Sequence, residues 1–392
     1  MPGPLSLYVH IPFCTAKCGY CDFNSYAGHE HLVPSYTEAL VREARLWRSA
    51  TAGRPVETVF FGGGTPSLMP LEEMSPIMDG LRAAFEFAPD AEVTLEANPG
   101  SLDEPYLRRL RELGFNRLSI GVQSFHDDEL RALDRLHTAA DARAAYRAAR
   151  AAGFDNVNLD LIFGLPEQPI GRWQRSLEDA LALAPEHLSL YALTVEEGTP
   201  LARDVARGRT PAPDPDAQAD QYDWTVSRMG RAGYEHYEIS NWARPGRRCR
   251  HNLTYWQCRD YLGLGAGAHS YVDGVRFAVA ATPGQYVSLV EQSWREAEGA
   301  NGKTPMRQVV SGETVSPELA MSDALILGLR LVDGVSLADF RARFDRDALD
   351  VYGERLAEPL EWGLLEIESG SLRLTSRGRF VANEVFTRLL AD

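Results

Sequence analysis

Apolar and polar positions switch between two periods over the first two thirds of the chain. Leu5–His10 is an apolar strand pattern, and Pro34–Ser49 has helical spacing with Leu40, Ala44 and Trp47 on one face. Thr58–Phe61 reads as a short buried strand, followed by Gly62–Gly64 and a helix near Glu72–Phe85. Glu92–Glu96 predicts a strand and Asp103–Leu113 a helix with Asp103 near its N-terminal end. The alternation continues through strand Arg117–Gly121, helices Asp127–Leu133 and Asp141–Ala152, strand Asn156–Phe163, helix Arg172–Ala184 and strand His187–Leu193. Each strand-plus-helix unit takes roughly 30 residues, the spacing of βα repeats around a parallel sheet. Six units predict an α/β fold built on a partial (β/α)6 TIM-type barrel. Chemistry in such barrels belongs at the C-terminal ends of the strands. His10, Glu96, Gln123 and Asp160 all fall there.

The pattern then changes. Pro211–Pro215 is a proline-rich loop, Gln218–Ala232 a helix, and Asn241 to His269 a turn-rich stretch. From about Ser316 the spacing predicts helices over Glu318–Leu331, Ser336–Arg343 and Tyr352–Trp362. A small hairpin over Leu364–Ile367 and Leu372–Thr375 and a final helix over Ser376–Leu390 complete a smaller, winged-helix-like α+β domain. The expected organisation is a barrel core over 1–240, an irregular connecting segment over 241–310 and the winged-helix-like domain over 311–392. That last domain lacks a concentrated basic face and reads as a structural or lid element, since a fold alone does not assign a function.

A length of 392 residues suits two domains. The net charge of −15 argues against nucleic acid as a partner, because phosphate binding needs a basic surface. Lys17 and Lys303 are the only lysines. No run of eighteen apolar residues is present, and the first ten residues lack the regions of a signal peptide, so a cytoplasmic protein is expected.

Three of the five cysteines, Cys14, Cys18 and Cys21, lie within eight residues directly after the first strand. An odd count at this spacing speaks for ligation rather than a disulfide framework. Fe–S clusters are normally held by four cysteines, so a trio leaves one iron open to a small chelating ligand. Buried structural cysteines, or a zinc site with His10 as fourth ligand, are the other readings.

The spacing Cys-x3-Cys-x2-Cys, with Tyr20 before the third cysteine, resembles the hallmark of the radical-SAM superfamily. That resemblance implies a [4Fe–4S] cluster on Cys14, Cys18 and Cys21, with the open iron taking the amino and carboxylate groups of S-adenosylmethionine (SAM). Electron transfer into the sulfonium then yields a deoxyadenosyl radical. Gly62-Gly63-Gly64-Thr65-Pro66 matches the family's glycine motif after the second strand and implies that Gly63, Gly64 and Thr65 contact SAM. The segments YVHIPFC, FFGGGTP, EANPG, GVQSF and LIFGLPEQ together resemble the oxygen-independent coproporphyrinogen III oxidase family, essentially along the whole chain. By that similarity Tyr8, Tyr20, Glu96, Gln123, Arg135, Asp160 and Ala192 join the SAM site. On its own terms, Arg135 also reads as a helix-surface residue.

Two branches share this core, the oxidases and the heme chaperones. The cluster motif here begins at residue 14, whereas the oxidases carry a longer segment before it. Phe23 stands where the oxidases place a further cysteine, and His251-Asn252-Leu253-Thr254-Tyr255-Trp256 resembles the chaperone signature HNxxYW. The chaperone branch implies heme as cargo. His251 and Cys249 are then candidate axial ligands, Tyr255 and Trp256 stacking partners, and Arg244, Arg247, Arg248 and Arg250 cations for the propionates. Tyr255 and Trp256 as core and the arginines as a solvated loop are the plainer reading. Membrane respiratory hemoproteins are the expected heme acceptors, reached at the membrane through protein contacts, and a reductant is expected to serve the cluster. A homodimer is among the open oligomeric states. The alternative function is the oxidase reaction itself, oxidative decarboxylation of coproporphyrinogen III to protoporphyrinogen IX. A radical enzyme acting on another substrate is a third.

Overall fold

The computed structural model describes residues 3–299 and 306–391. It divides into two compact units, Met1–Trp224 with Asp260–Glu313, and Thr225–Arg259 with Thr314–Asp392. Residues 241–310, expected as one connecting piece, are therefore shared between the units.

The first unit is built from the six expected repeats. Its strands are β1 (Leu5–Ile11), β2 (Val56–Gly63), β3 (Phe87–Ala97), β4 (Arg117–Gln123), β5 (Val157–Phe163) and β6 (His187–Ala192). Each pairs in parallel with the next. Between them run α1 (Val33–Trp47), α2 (Leu71–Ala84), α3 (Glu104–Glu112), α4 (Asp127–Ala132), α5 (Ala139–Ala151) and α6 (Ile170–Leu183). Side-chain caps start two of these helices. Asp103 caps α3 by accepting the Tyr106 amide, and Thr138 and Asp141 form a reciprocal capping box on α5.

A seventh parallel strand, β7 (Tyr261–Leu264), pairs with the other edge of β1. It lies in the stretch read from sequence as turn-rich, because positions 263, within it, and 265, just after it, are glycines and the strand has only four residues. Antiparallel strands β8 (His269–Val272) and β9 (Val275–Val279) and the edge strand β10 (Val309–Thr314) extend the sheet, and α7 (Pro283–Gly299) follows β9.

Side chains alternate across a strand, and the barrel strands divide by chemistry accordingly. One face carries Val93 and Leu95, Leu118 and Ile120, Leu159 and Leu161, and Leu188 and Leu190, all buried. The other carries Thr94, Arg117, Ser119, Asn158, His187 and Ser189, also buried and polar. Asn158 is the centre of this second set. Its amide donates to Ser119 Oγ (2.7 Å), Asp160 Oδ1 (2.8 Å) and Ser189 Oγ (2.9 Å), while its Oδ1 accepts from His187 Nδ1 (2.7 Å).

The second unit contains a hairpin, Glu235–Glu238 with Asn241–Ala243, and the helix Arg250–Trp256. Its C-terminal part is a winged-helix arrangement of helices Pro317–Gly328, Leu337–Phe344 and Ala348–Glu361. These pack with an antiparallel sheet of Val335–Ser336, Ser371–Leu374 and Leu365–Glu368. Leu325, Phe340, Leu356, Leu372 and Val385 form its core. Ser369 and Gly370 both have positive φ, as a two-residue hairpin turn requires. The final helix is broken into Ser376–Phe380 and Ala382–Leu389. Among the described residues no helix is long and apolar enough to cross a membrane.

One buried acid ties the first unit together. Glu43 of α1 is fully buried and accepts hydrogen bonds from Gly265 N (2.8 Å), Tyr286 OH (2.7 Å) and Gln308 Nε2 (3.4 Å). It thereby joins α1 to α7 and to the turn after β7. Burial pushes its carboxyl up to about 7, against the pull of these three donors. The folded chain thus holds this proton more tightly than the unfolded chain. The stabilisation is complete below the ordinary carboxylate value and is lost as pH rises towards about 7. A shift from 4.5 to about 7 is worth about 3 kcal/mol at 1.36 kcal/mol per unit. We expect Glu43→Gln to remove this slope. The melting temperature of the wild type relative to the variant should fall between about pH 5 and pH 8. A difference that stays constant over that range would show that Glu43 does not titrate in the fold.

Candidate functional site

The loop after β1 carries the cysteines. It is closed at its base by pairing of Phe13 with Tyr26 and Cys14 with Ala27. All three thiols are free; Cys14 is buried, and Cys18 and Cys21 are partly so. Together with the C-terminal ends of β2 to β6 they line a cavity of about 370 Å³. Of the residues expected from sequence, Tyr20, Gly63, Gly64, Thr65, Glu96, Gln123, Arg135, Asp160 and Ala192 line it as well. Tyr8 does not. Its hydroxyl donates to His10 Nδ1 (3.0 Å), and its ring lies against Gly62.

His10 is held by both ring nitrogens. Nε2 faces the carbonyl of Asn24 at 2.8 Å, so it carries the proton and donates, which leaves Nδ1 to accept from Tyr8. Burial lowers its pKa and keeps it neutral. No ring nitrogen remains to serve as the fourth ligand of a zinc ion. Among the described residues, no three His, Cys, Asp or Glu side chains converge as one metal ion would need. A cubane sets its cysteines on separate irons and makes no such demand. The His10 ring also explains Gly63. This residue has a φ of +113°, and a Cβ on it would stand 2.5 Å from the ring.

Donors point at the sulfurs. Arg135 Nη1 lies 3.6 Å from Cys18 Sγ, while Nη2 donates to Gly121 O (2.9 Å) and to Asn98 Oδ1. Asn98 in turn donates to Thr65 Oγ1 (3.0 Å), which leaves the threonine proton free for Cys14 Sγ at 3.5 Å. Arg135 is thus drawn inward, not left on a helix surface, and its buried Nε has no partner.

Two acids form the opposite wall. Glu96 Oε2 accepts the Gly63 amide at 3.2 Å, and burial together with Asp160 pushes its carboxyl up to about 8. Asp160 is also raised by burial, opposed by hydrogen bonds from Ser189, Ser119 and Asn158. Gln123 sits in the left-handed region at φ +67°, an uncommon cost for a non-glycine residue and typical of a working strand end. Asn98 and Ser119 were not singled out from sequence. The signal was present, because Asn98 directly follows a strand whose end carries Glu96, and Ser119 lies in the same strand as Gln123.

The four other candidates are in the second unit. Cys249 is the N-cap of helix Arg250–Trp256 and is buried. His251 is buried, its Nε2 lies 2.9 Å from Tyr255 OH, and the two rings meet edge to face at 5.0 Å. Trp256 is covered by the Arg330 guanidinium at 4.4 Å. The basic run is engaged with its surroundings. Arg244 donates to Ala232 O and lies over Tyr234, and Arg248 pairs with Glu235 and Asp333.

Residues 8–180 match the radical SAM superfamily, and residues 315–381 match the HemN C-terminal domain. The chain is 39% identical over its whole length to "Heme chaperone HemW" of Mycobacterium tuberculosis, of which it covers 96%. It is 36% identical to the protein of the same name from Bacillus subtilis, covering 99% of each chain. To the mouse mitochondrial "Radical S-adenosyl methionine domain-containing protein 1" it is 37% identical, over 98% of this chain and 87% of that one. The solved structure of the Escherichia coli coproporphyrinogen III oxidase HemN, a radical SAM enzyme, superposes with a TM-score of 0.84. It is 25% identical and covers 98% of this chain and 90% of that one. Membership of the radical SAM superfamily implies a [4Fe–4S] cluster and SAM. Identity of this order along whole lengths shows that the chain belongs to the HemW family of radical SAM proteins.

Proposed function

We propose that this protein is a heme chaperone of the cytoplasm, which binds heme and delivers it to respiratory hemoproteins at the membrane. The observation that carries this reading is the 39% identity to a heme chaperone over the whole chain. The charge of the barrel cavity supports it over the oxidase alternative. Asp22, Glu96, Asp160 and Glu196 line that cavity, against Lys17 and an Arg135 already committed to other partners. Coproporphyrinogen III carries four carboxylates and would meet like charge there at Asp22 and Glu196. SAM, with its sulfonium and ammonium, would not. The alternative keeps one observation in its favour, the full-length likeness to the oxidase HemN.

The cavity suits the implied cofactors. Cys14, Cys18 and Cys21 would hold three irons of the cluster. Thr65 and Arg135 would hydrogen-bond their sulfurs, which stabilises added electrons. The Gly63–Gly64 backbone lines the cavity beside the cysteines, where a ligand amine would lie, and Glu96 and Asp160 offer acceptors for ribose hydroxyls. Gln123, Tyr20 and Ala192 complete the walls, with Tyr8 acting from behind through His10. When bound, the cluster supplies one electron to the SAM sulfonium. His251 is the proposed heme ligand, ahead of Cys249, with Tyr255 and Trp256 beside the macrocycle. To reach iron, His251 Nε2 must leave the Tyr255 hydroxyl.

Glu96 makes SAM binding pH-dependent. Its carboxyl stays protonated below about pH 8, whereas a cationic ligand with hydroxyl donors favours the carboxylate. Binding releases that proton, so affinity should be about tenfold weaker at pH 7 than at pH 9. Calorimetry of SAM binding should show a steeper rise in the wild type than in Glu96→Gln, where only the SAM amino group still titrates in this range. An equal slope in both would remove Glu96 from the site.

Heme titration tests the cargo assignment. Loss of the heme Soret band in His251→Ala, with retention or strengthening in Tyr255→Phe, is expected. Unchanged heme binding in His251→Ala would discard His251 as the ligand. Coproporphyrinogen III decarboxylation, assayed anaerobically with reductant and SAM, decides between the two functions. Several turnovers of protoporphyrinogen formation would overturn the chaperone reading.

A further inference from the structure

Asn24 lies three residues after Cys21, outside every motif discussed above, yet it makes four hydrogen bonds. Its Nδ2 donates to Ala266 O (3.0 Å) and Ala281 O (2.9 Å), its Oδ1 accepts from Tyr26 OH (3.0 Å), and its carbonyl accepts from His10 Nε2 (2.8 Å). Both donor contacts reach chain more than two hundred residues away, on the segments that follow β7 and β9. The receiving side is itself fixed. Ala266 N donates to Tyr36 OH (2.7 Å), which donates to His10 O (2.9 Å), and the preceding residue, Gly265, is held by Glu43. Gly267 adopts φ +76°, and a Cβ there would lie 2.2 Å from Asn24 Nδ2. The turn is shaped to admit this amide.

We propose that Asn24 is the positioning residue that locks the cysteine loop to the barrel. It sets the sulfurs in register with the Gly63 backbone and limits opening of the loop to solvent. The inference rests on the cluster being held by Cys14, Cys18 and Cys21. The loop's entry is fixed by continuity with β1 and its base by the pairing of Phe13 with Tyr26 and Cys14 with Ala27, and Asn24 adds the side-chain tie from the exit to the segments after β7 and β9. Through the His10 ring, Asn24 also connects the exit of the loop to the one glycine the ring packs against. An aspartate is nearly the same size but would set a carboxylate oxygen against two carbonyls. Size is kept while the tie becomes repulsive.

The test compares wild type, Asn24→Asp, Gly267→Ala and Cys18→Ala after anaerobic reconstitution with iron and sulfide. Three readouts are taken: iron per chain, the rate of iron loss to a ferrous chelator, and the EPR spectrum of the reduced cluster with and without SAM. Asn24→Asp is expected to take up a cluster and lose it at least tenfold faster than the wild type. Its EPR response to SAM should be weakened, with an unchanged far-UV circular dichroism spectrum. Gly267→Ala displaces the amide from the other side and should reproduce both changes, which covers the case in which Asn24→Asp fails to fold. Chelation rates within twofold of wild type and an unaltered SAM response in either folded variant would overturn the proposal. Absence of a cluster in the wild type, or full retention in Cys18→Ala, would instead sink the cysteine assignment and this inference with it.

Discussion

The site depends on the period of two in a parallel strand. Because β3 to β6 run in parallel, and keep register up to a shift between Gly121 and Gln123, every second residue of each strand before that shift turns to the same side. Polar side chains buried on that side must satisfy one another, and Asn158 does this for three strands at once. The ladder has a direct chemical result. It holds Asp160 by Ser119 and Asn158 while leaving it on the cavity wall beside Glu96. A one-residue slip of β5 would turn Asn158 and Asp160 outward and bring Leu159 and Leu161 in.

The organisation of the barrel was legible because long amphipathic repeats leave strong periodic signals. The helix over Pro34–Ser49 and the strand over Asn156–Phe163 are found within one or two residues of where spacing puts them. The strand Tyr261–Leu264 was not legible. A four-residue strand with one glycine inside it and another directly after it has no measurable period, and it exists because the open edge of β1 supplies its partner. The helix Arg250–Trp256 was hidden for a similar reason, since two turns are too short to show a face.

Among site residues, cysteines and glycines announce themselves by spacing, but their supports do not. Nothing in the sequence near Arg135 tells that it turns towards Cys18; that follows from Asn98 and the Gly121 carbonyl, which meet it only in three dimensions. His10 was readable as a polar residue at a strand end, and its position invited a ligand role. The fold instead uses both of its nitrogens as struts. Tyr8 likewise works one layer behind the cavity wall.

Charge sorts the ligands of such a molecule. The barrel cavity gathers carboxylates, two of them buried deeply enough to hold protons near neutrality or to resist ionisation. Such a wall accommodates a cation, which recovers the cost of burying the acids by ionising them. It repels a polycarboxylate, whose charge would have to be protonated or desolvated as well. The second unit has the opposite bias around Cys249 and His251, where Arg244, Arg247, Arg248 and Arg250 crowd into seven residues of an otherwise acidic chain. Arg248 already pairs with Glu235 and Asp333. These pairs are partly solvated and therefore weak. On electrostatic grounds alone, the barrel wall suits a cation and the arginine run suits an anion.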